Sequence, residues 1–375
     1  MVGRYALFDA IASGGMATVH LGRALDPTGL GKVVAVKRLH VQFAEDAELV
    51  SMFLDEARVA TRIHHPNVVP MLDVVNADGE LLLVMEYIRG EPLSRLVRVT
   101  SERKEPIAPP IAASIMAGVL HGLHAAHEAC GEDGQPLGII HRDVSPHNIM
   151  VGIDGIPRVL DFGVAKASNR VQSMTRPGQL KGKVPYMSPE QLHGKPVRAT
   201  DVYAVSVVLW EALAARRLFT APSEPEIVRK VMEGKVDPPG AFGAGIPPEL
   251  DAIVLRGLQR DPLKRFETAR EMALALEAVF PAVPASRVGR WVETTCAESI
   301  GRLGERVAQI ERVTVSGLRT AFVSGDFASE ATFSSYAARA DRARLRRRRL
   351  VMAIGGAALL VACLTMAILA RLHLH

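Results

Sequence analysis

The chain has 375 residues, of which 48% are hydrophobic and 23% are charged. This composition excludes a disordered chain and a disulfide-stapled miniprotein, and the length suffices for one large domain or two small ones. The net charge of +5 would suggest a nucleic-acid partner, but seven arginines against one aspartate in residues 331–350 account for more than all of it. The rest of the chain is slightly acidic, so no nucleic-acid partner is expected.

Residues 4–90 predict a small β-rich region with a single helix. Apolar, β-branched stretches at 33–36, 68–75 and 81–87 are typical of strands, and residues 45–63 have the spacing of an amphipathic helix. After Pro110 the chain is mostly helical to about residue 280, with helices expected at 109–130, 199–216, 224–233, 248–258 and 268–279. This order of elements indicates an α+β fold with a small N-terminal sheet lobe and a larger helical lobe.

A loop of small residues joins the first two expected strands. Ser13, Gly14 and Gly15 lie in this loop, and glycine lets backbone N–H groups approach phosphate oxygens without a Cβ in the way. The signal is weak by itself, because a purely structural hairpin has the same composition.

Lys37 and Glu56 are the two charged residues that interrupt apolar patterns in this lobe. Lys37 ends the expected strand Val34–Val36, and Glu56 falls on an apolar helical stripe made of Leu49, Phe53, Ala60 and Ile63. Because a buried carboxylate needs a cation, we expect Glu56 to pair with Lys37. The alternative is a rotated helix that places Glu56 at the surface.

The densest group of polar residues is His-Arg-Asp-Val-Ser-Pro-His-Asn at 141–148, followed by Asp-Phe-Gly at 161–163. It brings Asp143, Asn148 and Asp161 within nineteen residues of one another. One carboxylate can accept the proton of an attacking hydroxyl. Another carboxylate and an amide oxygen can ligate Mg²⁺ that bridges phosphates, since hard cations prefer oxygen. The pattern therefore indicates phosphoryl transfer.

Together these motifs resemble the eukaryotic-type protein kinase family in its bacterial Ser/Thr class, over roughly residues 4–280. The catalytic loop, the Asp-Phe-Gly triplet, the Val-Ala-Val-Lys strand and the triplet Ser188-Pro189-Glu190 occur in the family's order and at its approximate spacing. The resemblance implies a bilobal protein kinase-like fold with ATP and Mg²⁺ as cofactors, Mn²⁺ being an alternative ion. It also implies protein substrates with Ser/Thr hydroxyls, and autophosphorylation.

The resemblance assigns a role to each motif residue. Asp143 would be the catalytic base, and Lys37 would hold the α/β-phosphates while paired with Glu56. Asn148 and Asp161 would ligate the metal ion. The adenine would lie at the hinge, residues 86–88. The expected nucleotide contacts are Ile11, Ala12, Ser13, Gly14, Gly15, Met16, Ala17, Thr18, Val19, Ala35, Lys37, Glu86, Ile88 and Met150.

Two structural supports are also implied by the resemblance. Glu190 would pair with Arg265 and hold the end of the activation segment. Asp201 would brace the catalytic loop.

The sequence departs from the family pattern at two places. Ala12 and Ala17 stand where the Gly-x-Gly-x-x-Gly loop has its first and third glycines, which should stiffen the loop. Ser145 replaces the usual catalytic-loop lysine, and Lys183 stands where the activation segment usually has threonine. Our hypothesis is a swapped pair, in which Lys183 takes the catalytic role at the γ-phosphate and Ser145 accepts its hydrogen bond. The alternative is that Lys183 points to solvent.

Two functions from different classes follow. The retained catalytic residues favour an active, membrane-tethered kinase, and the departures favour a pseudokinase scaffold at the membrane. Of the hydroxyls in the activation segment, Thr175 is the preferred phosphorylation site over Ser168 and Ser173, with Arg142 as the receptor of its phosphate.

Residues 281–349 predict a juxtamembrane linker with a basic run. Helical spacing there is shown by Ile300, Leu303, Val307, Ile310 and Val313. It indicates a short amphipathic or coiled-coil helix, and the alternatives are a helix packed on the preceding domain or a partly ordered segment. The next segment, Leu350–Ala370, is apolar except for Thr365, and its 21 residues span about 31 Å as a helix, the thickness of the hydrocarbon core. We expect a transmembrane helix at 350–370.

The arginines around this segment predict its orientation. Four of them, at 346–349, precede it and only Arg371 follows, so the kinase-like domain is expected in the cytoplasm and residues 371–375 form a short extracytoplasmic tail. The expected localisation is single-pass in the cytoplasmic membrane, with the lipid bilayer as a partner. Ala353 and Ala357 have a spacing compatible with a homodimer of the span, although such spacing is frequent in Ala-rich segments.

Overall fold

The described part of the chain folds into two lobes followed by a pair of helices. The computed structural model describes residues 2–25, 31–44, 46–77, 79–162, 183–243 and 245–312. The strands are β1 (Tyr5–Ser13), β2 (Ala17–Ala24), β3 (Val33–Leu39), β4 (Met71–Ala77), β5 (Glu80–Glu86), β6 (Gly90–Pro92), β7 (Ile149–Gly152) and β8 (Pro157–Val159). The helices are α1 (Ala47–Ala60), α2 (Leu93–Glu102), α3 (Pro109–His127), α4 (Pro189–Leu192), α5 (Arg198–Ala214), α6 (Glu224–Glu233), α7 (Pro248–Gly257), α8 (Ala269–Val279), α9 (Ala285–Thr295) and α10 (Ala297–Arg312).

The N-terminal lobe is a five-stranded antiparallel sheet in the order β1-β2-β3-β5-β4, accompanied by α1. Both faces of its central strands are covered, so β5 is a nearly continuous buried apolar run. Val36 and Val84 pack on one face, whereas Leu83 packs with Phe53 and Ala57 of α1 on the other. The register sets Lys37 of β3 opposite Val19 of β2 and Leu83 of β5. This register places the lysine on the face that α1 covers.

The C-terminal lobe is built around α3 and α5. In α5, every residue from Thr200 to Ala214 is buried, as expected for a helix that other elements surround on all sides. The helix ends at Ala215, whose φ of +49° is left-handed. A three-stranded sheet in the order β6-β7-β8 carries the loops that hold the polar motifs.

Helices α9 and α10 belong to the same compact unit as the two lobes, which ends at Arg312. Val288 and Val292 of α9 are part of the C-lobe core. At the other end of the pair, the guanidinium of Arg23 in β2 donates to the carbonyl oxygen of Ile310 at 3.0 Å. The segment predicted as a linker from residue 281 thus begins with two packed helices. Of the interpretations of residues 300–310, the structure shows the helix packed on the domain.

Helix α2 is the main element that the sequence analysis missed. Its buried residues Leu93, Leu96 and Thr100 share one face at helical spacing, a signal hidden among arginines and serines. The strand expected at 68–75 instead begins at Met71, after Pro70, which has no N–H for strand pairing. Val68 makes only an isolated bridge to Val159.

Among the described residues, no helix is both long and apolar enough to cross a membrane. The predicted transmembrane segment 350–370, its basic flank and its tail lie outside the described residues. The same holds for Gly163 and for Ser168, Ser173 and Thr175.

Candidate active site

Lys37 stands between two carboxylates that come from distant parts of the chain. Its Nζ donates to Oε1 of Glu56 at 2.6 Å and to Oδ1 of Asp161 at 2.9 Å. The Lys37 and Glu56 side chains are only 14% and 15% exposed. The predicted pairing of Lys37 with Glu56 is confirmed, and the surface placement of Glu56 is wrong.

The three charged groups shift one another's pKa values. Burial raises the pKa of the Glu56 carboxyl above its ordinary value, and the nearby Asp161 carboxylate raises it further. Burial acts on Asp161 in the same sense, but the Lys37 ammonium outweighs it, so the pKa of Asp161 is lowered. Burial would lower the pKa of Lys37, but the two carboxylates together raise it. Lys37 therefore stays cationic and Asp161 stays anionic at neutral pH.

Asp161 is held in an unusual backbone conformation. Its φ is +52°, in the left-handed region that costs energy for a residue with a Cβ and is enriched at functional sites. The next residue, Phe162, is buried and packs against the ring of His141 with centroids 4.8 Å apart. This packing anchors the Asp-Phe pair against the catalytic loop.

Asp143 and Asn148 lie side by side. The amide nitrogen of Asn148 donates to the main-chain oxygen of Asp143 at 2.8 Å and to its Oδ2 at 3.1 Å. Because the amide nitrogen is committed to Asp143, the amide oxygen of Asn148 is the group available to a metal ion. Together with the Asp161 carboxylate it forms the all-oxygen donor set that Mg²⁺ prefers.

Asp201 supports the catalytic loop from α5. Its carboxylate accepts hydrogen bonds from the main-chain N–H of His141 at 2.8 Å and of Arg142 at 2.9 Å, and contacts Nε2 of His127 at 2.8 Å. Burial raises the pKa of Asp201, but these donors lower it by more, so the net direction is down. Arg142 has a φ of +62°, and its bond to Asp201 stabilises this strained backbone conformation. The predicted brace is confirmed, and His127 is a partner that the sequence analysis missed.

The predicted pair of Glu190 and Arg265 is also confirmed. The guanidinium donates to both carboxylate oxygens, at 2.7 and 2.8 Å, and the Arg265 side chain is fully buried. Burial raises the pKa of Glu190, but Arg265 lowers it by more. This bidentate geometry fixes α4 to the rest of the lobe.

The residues predicted to contact adenine largely converge. Val19, Ala35 and Met150 pack with Met85 and Ile88 in one apolar cluster between the lobes. Ile11 is 36% exposed and lies outside this cluster. The N–H of Glu86 donates to the carbonyl of Pro70 at 3.0 Å, so the adenine contact predicted for Glu86 rests on its carbonyl oxygen.

The glycine-rich loop joins β1 to β2, with Ala12 paired to Val19 and Ser13 paired to Thr18. The Gly14 N–H donates to the Ala17 carbonyl at 2.9 Å, and His40 N–H donates to the Met16 carbonyl at 2.9 Å. A Cβ on Gly14 would come no nearer than 3.6 Å to another described residue, and one on Gly15 would meet none within 4 Å. Packing therefore does not account for either glycine, and both leave the loop backbone open to close approach by a ligand. Ala17 is buried beside Leu39 and Phe53, so its methyl group fills core space.

The swapped pair of Lys183 and Ser145 is not what the structure shows. The Nζ of Lys183 donates to Oδ2 of Asp143. The hydroxyl of Ser145 is buried and has no hydrogen-bond partner within the described ranges. The solvent-facing alternative does not describe Lys183 either, because its ammonium pairs with Asp143 although the side chain is 40% exposed.

A further cluster was missed by the sequence analysis. Tyr186 donates its hydroxyl to Oε2 of Glu211 at 2.8 Å, and Nη1 of Arg217 donates to the same oxygen at 3.2 Å and to the Tyr186 hydroxyl. The signal was Glu211 itself, a carboxylate within the apolar run of α5. This cluster fastens the turn that follows Lys183 to the C-lobe.

Comparison with known proteins identifies the family. A family model described as "Protein kinase domain" matches residues 5–275. The chain belongs to the protein kinase domain family. A fold likeness agrees: the kinase domain of PknI from Mycobacterium tuberculosis superposes with a TM-score of 0.54 over 74% of this chain and 96% of that chain, at 23% identity.

Several bacterial kinases are similar in sequence over this domain. The chain is 38% identical to tyrosine-protein kinase MasK of Myxococcus xanthus, over 73% of this chain and 43% of that protein. It is 36% identical to serine/threonine-protein kinase PknB of Mycolicibacterium smegmatis, over 72% of this chain and 42% of PknB. It is 32% identical to serine/threonine-protein kinase PrkC of Bacillus subtilis, over 75% and 41%. The chain thus spans less than half the length of these relatives. Their names include one tyrosine kinase and two serine/threonine kinases.

Proposed function

We propose that this kinase-family chain is an active, membrane-tethered Ser/Thr protein kinase that transfers the γ-phosphate of ATP to protein hydroxyls, its own included. The observation that carries the proposal is the Lys37 ammonium held between Glu56 and Asp161, at 2.6 and 2.9 Å. A scaffold has no need to stabilise a buried cation between two carboxylates beside Asp143 and Asn148.

Each residue contributes one step to this reaction. ATP, when bound, would supply the phosphoryl group, and Mg²⁺ would neutralise part of its negative charge. Lys37 binds phosphate oxygens, and Asn148 and Asp161 offer oxygen ligands to the ion. Asp143 accepts the proton of the substrate hydroxyl as that oxygen attacks in line. The apolar cluster around Ala35 and Met150 would exclude water from the adenine.

The direct test is phosphate transfer from radiolabelled ATP to a generic acceptor protein and to the chain itself. We expect Asp143→Asn to lower the rate at least about 100-fold, because it removes the general base. Asp237→Asn, at an exposed loop position, is the matched control and should leave the rate unchanged. Equal rates for wild type and Asp143→Asn would contradict the proposal.

The second candidate is a pseudokinase scaffold, favoured by Ala12, Ala17 and the missing catalytic-loop lysine at Ser145. A wild-type chain that binds ATP but transfers no phosphate with either Mg²⁺ or Mn²⁺ would establish this alternative.

Mass spectrometry of autophosphorylated protein tests activation-segment control, for which phosphate at Thr175 is expected. Absence of phosphate from residues 162–187 would contradict that part.

The choice of serine and threonine over tyrosine rests on Pro146 in the catalytic loop and on the names of relatives such as PknB and PrkC. The name of MasK points the other way. Phosphoamino-acid analysis of the autophosphorylated chain decides the question. Phosphoserine and phosphothreonine are expected, and phosphotyrosine alone would overturn this specificity.

Membrane tethering rests on the apolar run 350–370 and the arginines that precede it. In cell fractionation, the full chain should remain with the membrane pellet after carbonate extraction, and a chain that ends at residue 349 should not. Recovery of both in the soluble fraction would contradict the tether. If the spans also pair through Ala353 and Ala357, Ala357→Ile should reduce crosslinked dimers of the full chain.

A further inference from the structure

The cation beside Asp143 comes from the end of the activation segment. Lys183 donates to Oδ2 of Asp143, forty residues away in sequence. The catalytic loop itself offers only the hydroxyl of Ser145 at the position where a lysine would be expected, and this hydroxyl is buried. The ammonium at the base therefore belongs to a different segment of the chain.

The backbone around Lys183 is fixed by the residues that follow it. Lys183 precedes a short 3₁₀ turn, Val184–Tyr186, whose three residues are buried. The Tyr186 N–H donates to the Lys183 carbonyl at 3.0 Å, and the Tyr186 hydroxyl donates to Glu211 of α5 at 2.8 Å. Lys183 thus extends from an anchored turn, unlike an isolated surface lysine.

Oδ2 of Asp143 receives two donors at once. Asn148 approaches it from within the catalytic loop at 3.1 Å, and Lys183 approaches it from the activation segment. The Asp143 N–H donates to Nδ1 of His141 at 3.2 Å, which holds its backbone. With the backbone held and one carboxylate oxygen held by two donors, the other oxygen, Oδ1, has a defined direction.

We propose that Lys183 is a positioning residue for phosphotransfer, holding the Asp143 carboxylate in the orientation that accepts the substrate proton. It would replace, from the activation segment, the catalytic-loop lysine that this chain lacks. The inference rests on the proposed kinase activity. It replaces the sequence hypothesis that Ser145 is the partner of Lys183.

Removal of the Lys183 ammonium should lower the turnover rate. Positioning of a general base contributes to the transition state and little to nucleotide binding, so its loss lowers kcat and leaves KM for ATP nearly unchanged. Lys183→Arg keeps a cationic donor within reach of Asp143. A small alkylammonium ion in solution can occupy the space left by Lys183→Ala, which is open because the side chain is 40% exposed.

The experiment compares the full-length wild type, Lys183→Ala, Lys183→Arg and the control Lys235→Ala, an exposed lysine after α6. Each is assayed with Mg²⁺, ATP and a generic acceptor protein, with and without ethylammonium chloride. We expect Lys183→Ala to lower kcat about 10- to 100-fold, with KM for ATP changed less than about threefold. Lys183→Arg should recover most of the rate. Ethylammonium should raise the rate of Lys183→Ala in a saturable way and leave that of Asp143→Asn unchanged.

Three results would overturn the inference. One is a Lys183→Ala rate within about twofold of wild type. The second is a loss that neither Lys183→Arg nor ethylammonium restores, which would indicate a structural role. The third is a change confined to KM for ATP, which would indicate nucleotide binding. If the wild type itself transfers no phosphate, the proposed kinase activity fails and this inference fails with it. If the wild type is active, the Lys183 variants test the inference independently of the proposed activity.

Discussion

Asp201 illustrates how one buried side chain supports a whole loop. Its carboxylate has no exposed surface and accepts two main-chain N–H groups of the catalytic loop. Such a charge is tolerated only because every oxygen has a donor. The position of Asp143, two residues from His141, depends on this distant support.

Asp201→Asn should lower the free energy of unfolding by about 3–5 kcal/mol near pH 7, because the amide cannot accept all the bonds that the carboxylate accepts. The pKa of Asp201 is lowered in the folded state, so its stabilising contribution exists above the ordinary carboxyl pKa and is lost as pH falls through the folded value. Urea unfolding of wild type and variant should therefore differ less at pH 3 than at pH 7. A difference that is the same at both pH values would contradict this account.

Replacement of Arg265 by lysine is expected to destabilise the protein. Lysine cannot form the bidentate contact with Glu190 and would leave buried acceptors unpaired, so Arg265→Lys should lower the free energy of unfolding by about 2–3 kcal/mol. Arg98→Lys is the matched control, since both partners of the pair Arg98–Glu102 are at least 60% exposed, and it should cost less than about 0.5 kcal/mol. Equal losses of stability for Arg265→Lys and Arg98→Lys in thermal unfolding would show that burial of the Arg265–Glu190 pair does not increase its contribution to stability.

At the scale of elements, length did not decide which helices the sequence located, since α2 and α6 both have ten residues and only α6 was predicted. The helix at 224–233 was predicted at its observed bounds, and α1, α7 and α8 were placed within three residues. The polar sequence of α2 hid its apolar face. The docking of α9 was not predicted at all, because it packs against α2, β6, β7 and the turn after β7, all more than a hundred residues earlier.

Two glycines in the terminal helices provide a matched test of that docking. A Cβ on Gly289 of α9 would lie 2.0 Å from the carbonyl oxygen of Ile153, whereas one on Gly301 of α10 would meet no described residue within 4 Å. Both substitutions by alanine gain about 1 kcal/mol of helix propensity. Gly289→Ala should nevertheless lower the free energy of unfolding by about 1–3 kcal/mol through overpacking, and Gly301→Ala should raise it. A stabilised Gly289→Ala would show that α9 does not pack closely on that turn.

At the scale of the whole molecule, α9 and α10 connect the two lobes. The carbonyl of Thr295, at the end of α9, accepts from Arg103 at 3.2 Å, and Ser299 of α10 donates to Glu91, just after the hinge. Further along α10, Arg306 pairs with Asp9 of β1 at 3.3 Å. The compact unit therefore extends past the region that matches the kinase family.

A chain that ends at residue 280 should be less stable than one that ends at residue 312. The truncation exposes the surface covered by Val288, Val292 and Ile300 and removes one of the acceptors of the buried Arg23. At about 1.5–3 kcal/mol for each buried aliphatic side chain, the free energy of unfolding should fall by more than about 3 kcal/mol. Arg306→Ala in the longer chain is the control and should have little effect, because both partners of its ion pair are more than half exposed. Equal denaturant midpoints for the two chains would contradict the packing of this pair.

The sequence by itself determined the order of most elements of the two lobes, the polar motifs and the pairing of Lys37 with Glu56, because these depend on local periodicity and on the rule that a buried charge needs a counter-charge. It also identified the apolar run 350–370 as the predicted membrane segment. The tertiary structure alone decided that Lys183 meets Asp143 and not Ser145, and that α10 reaches Arg23. Both contacts join residues far apart in the chain, so their geometry depends on how the elements between them pack, which no local pattern records.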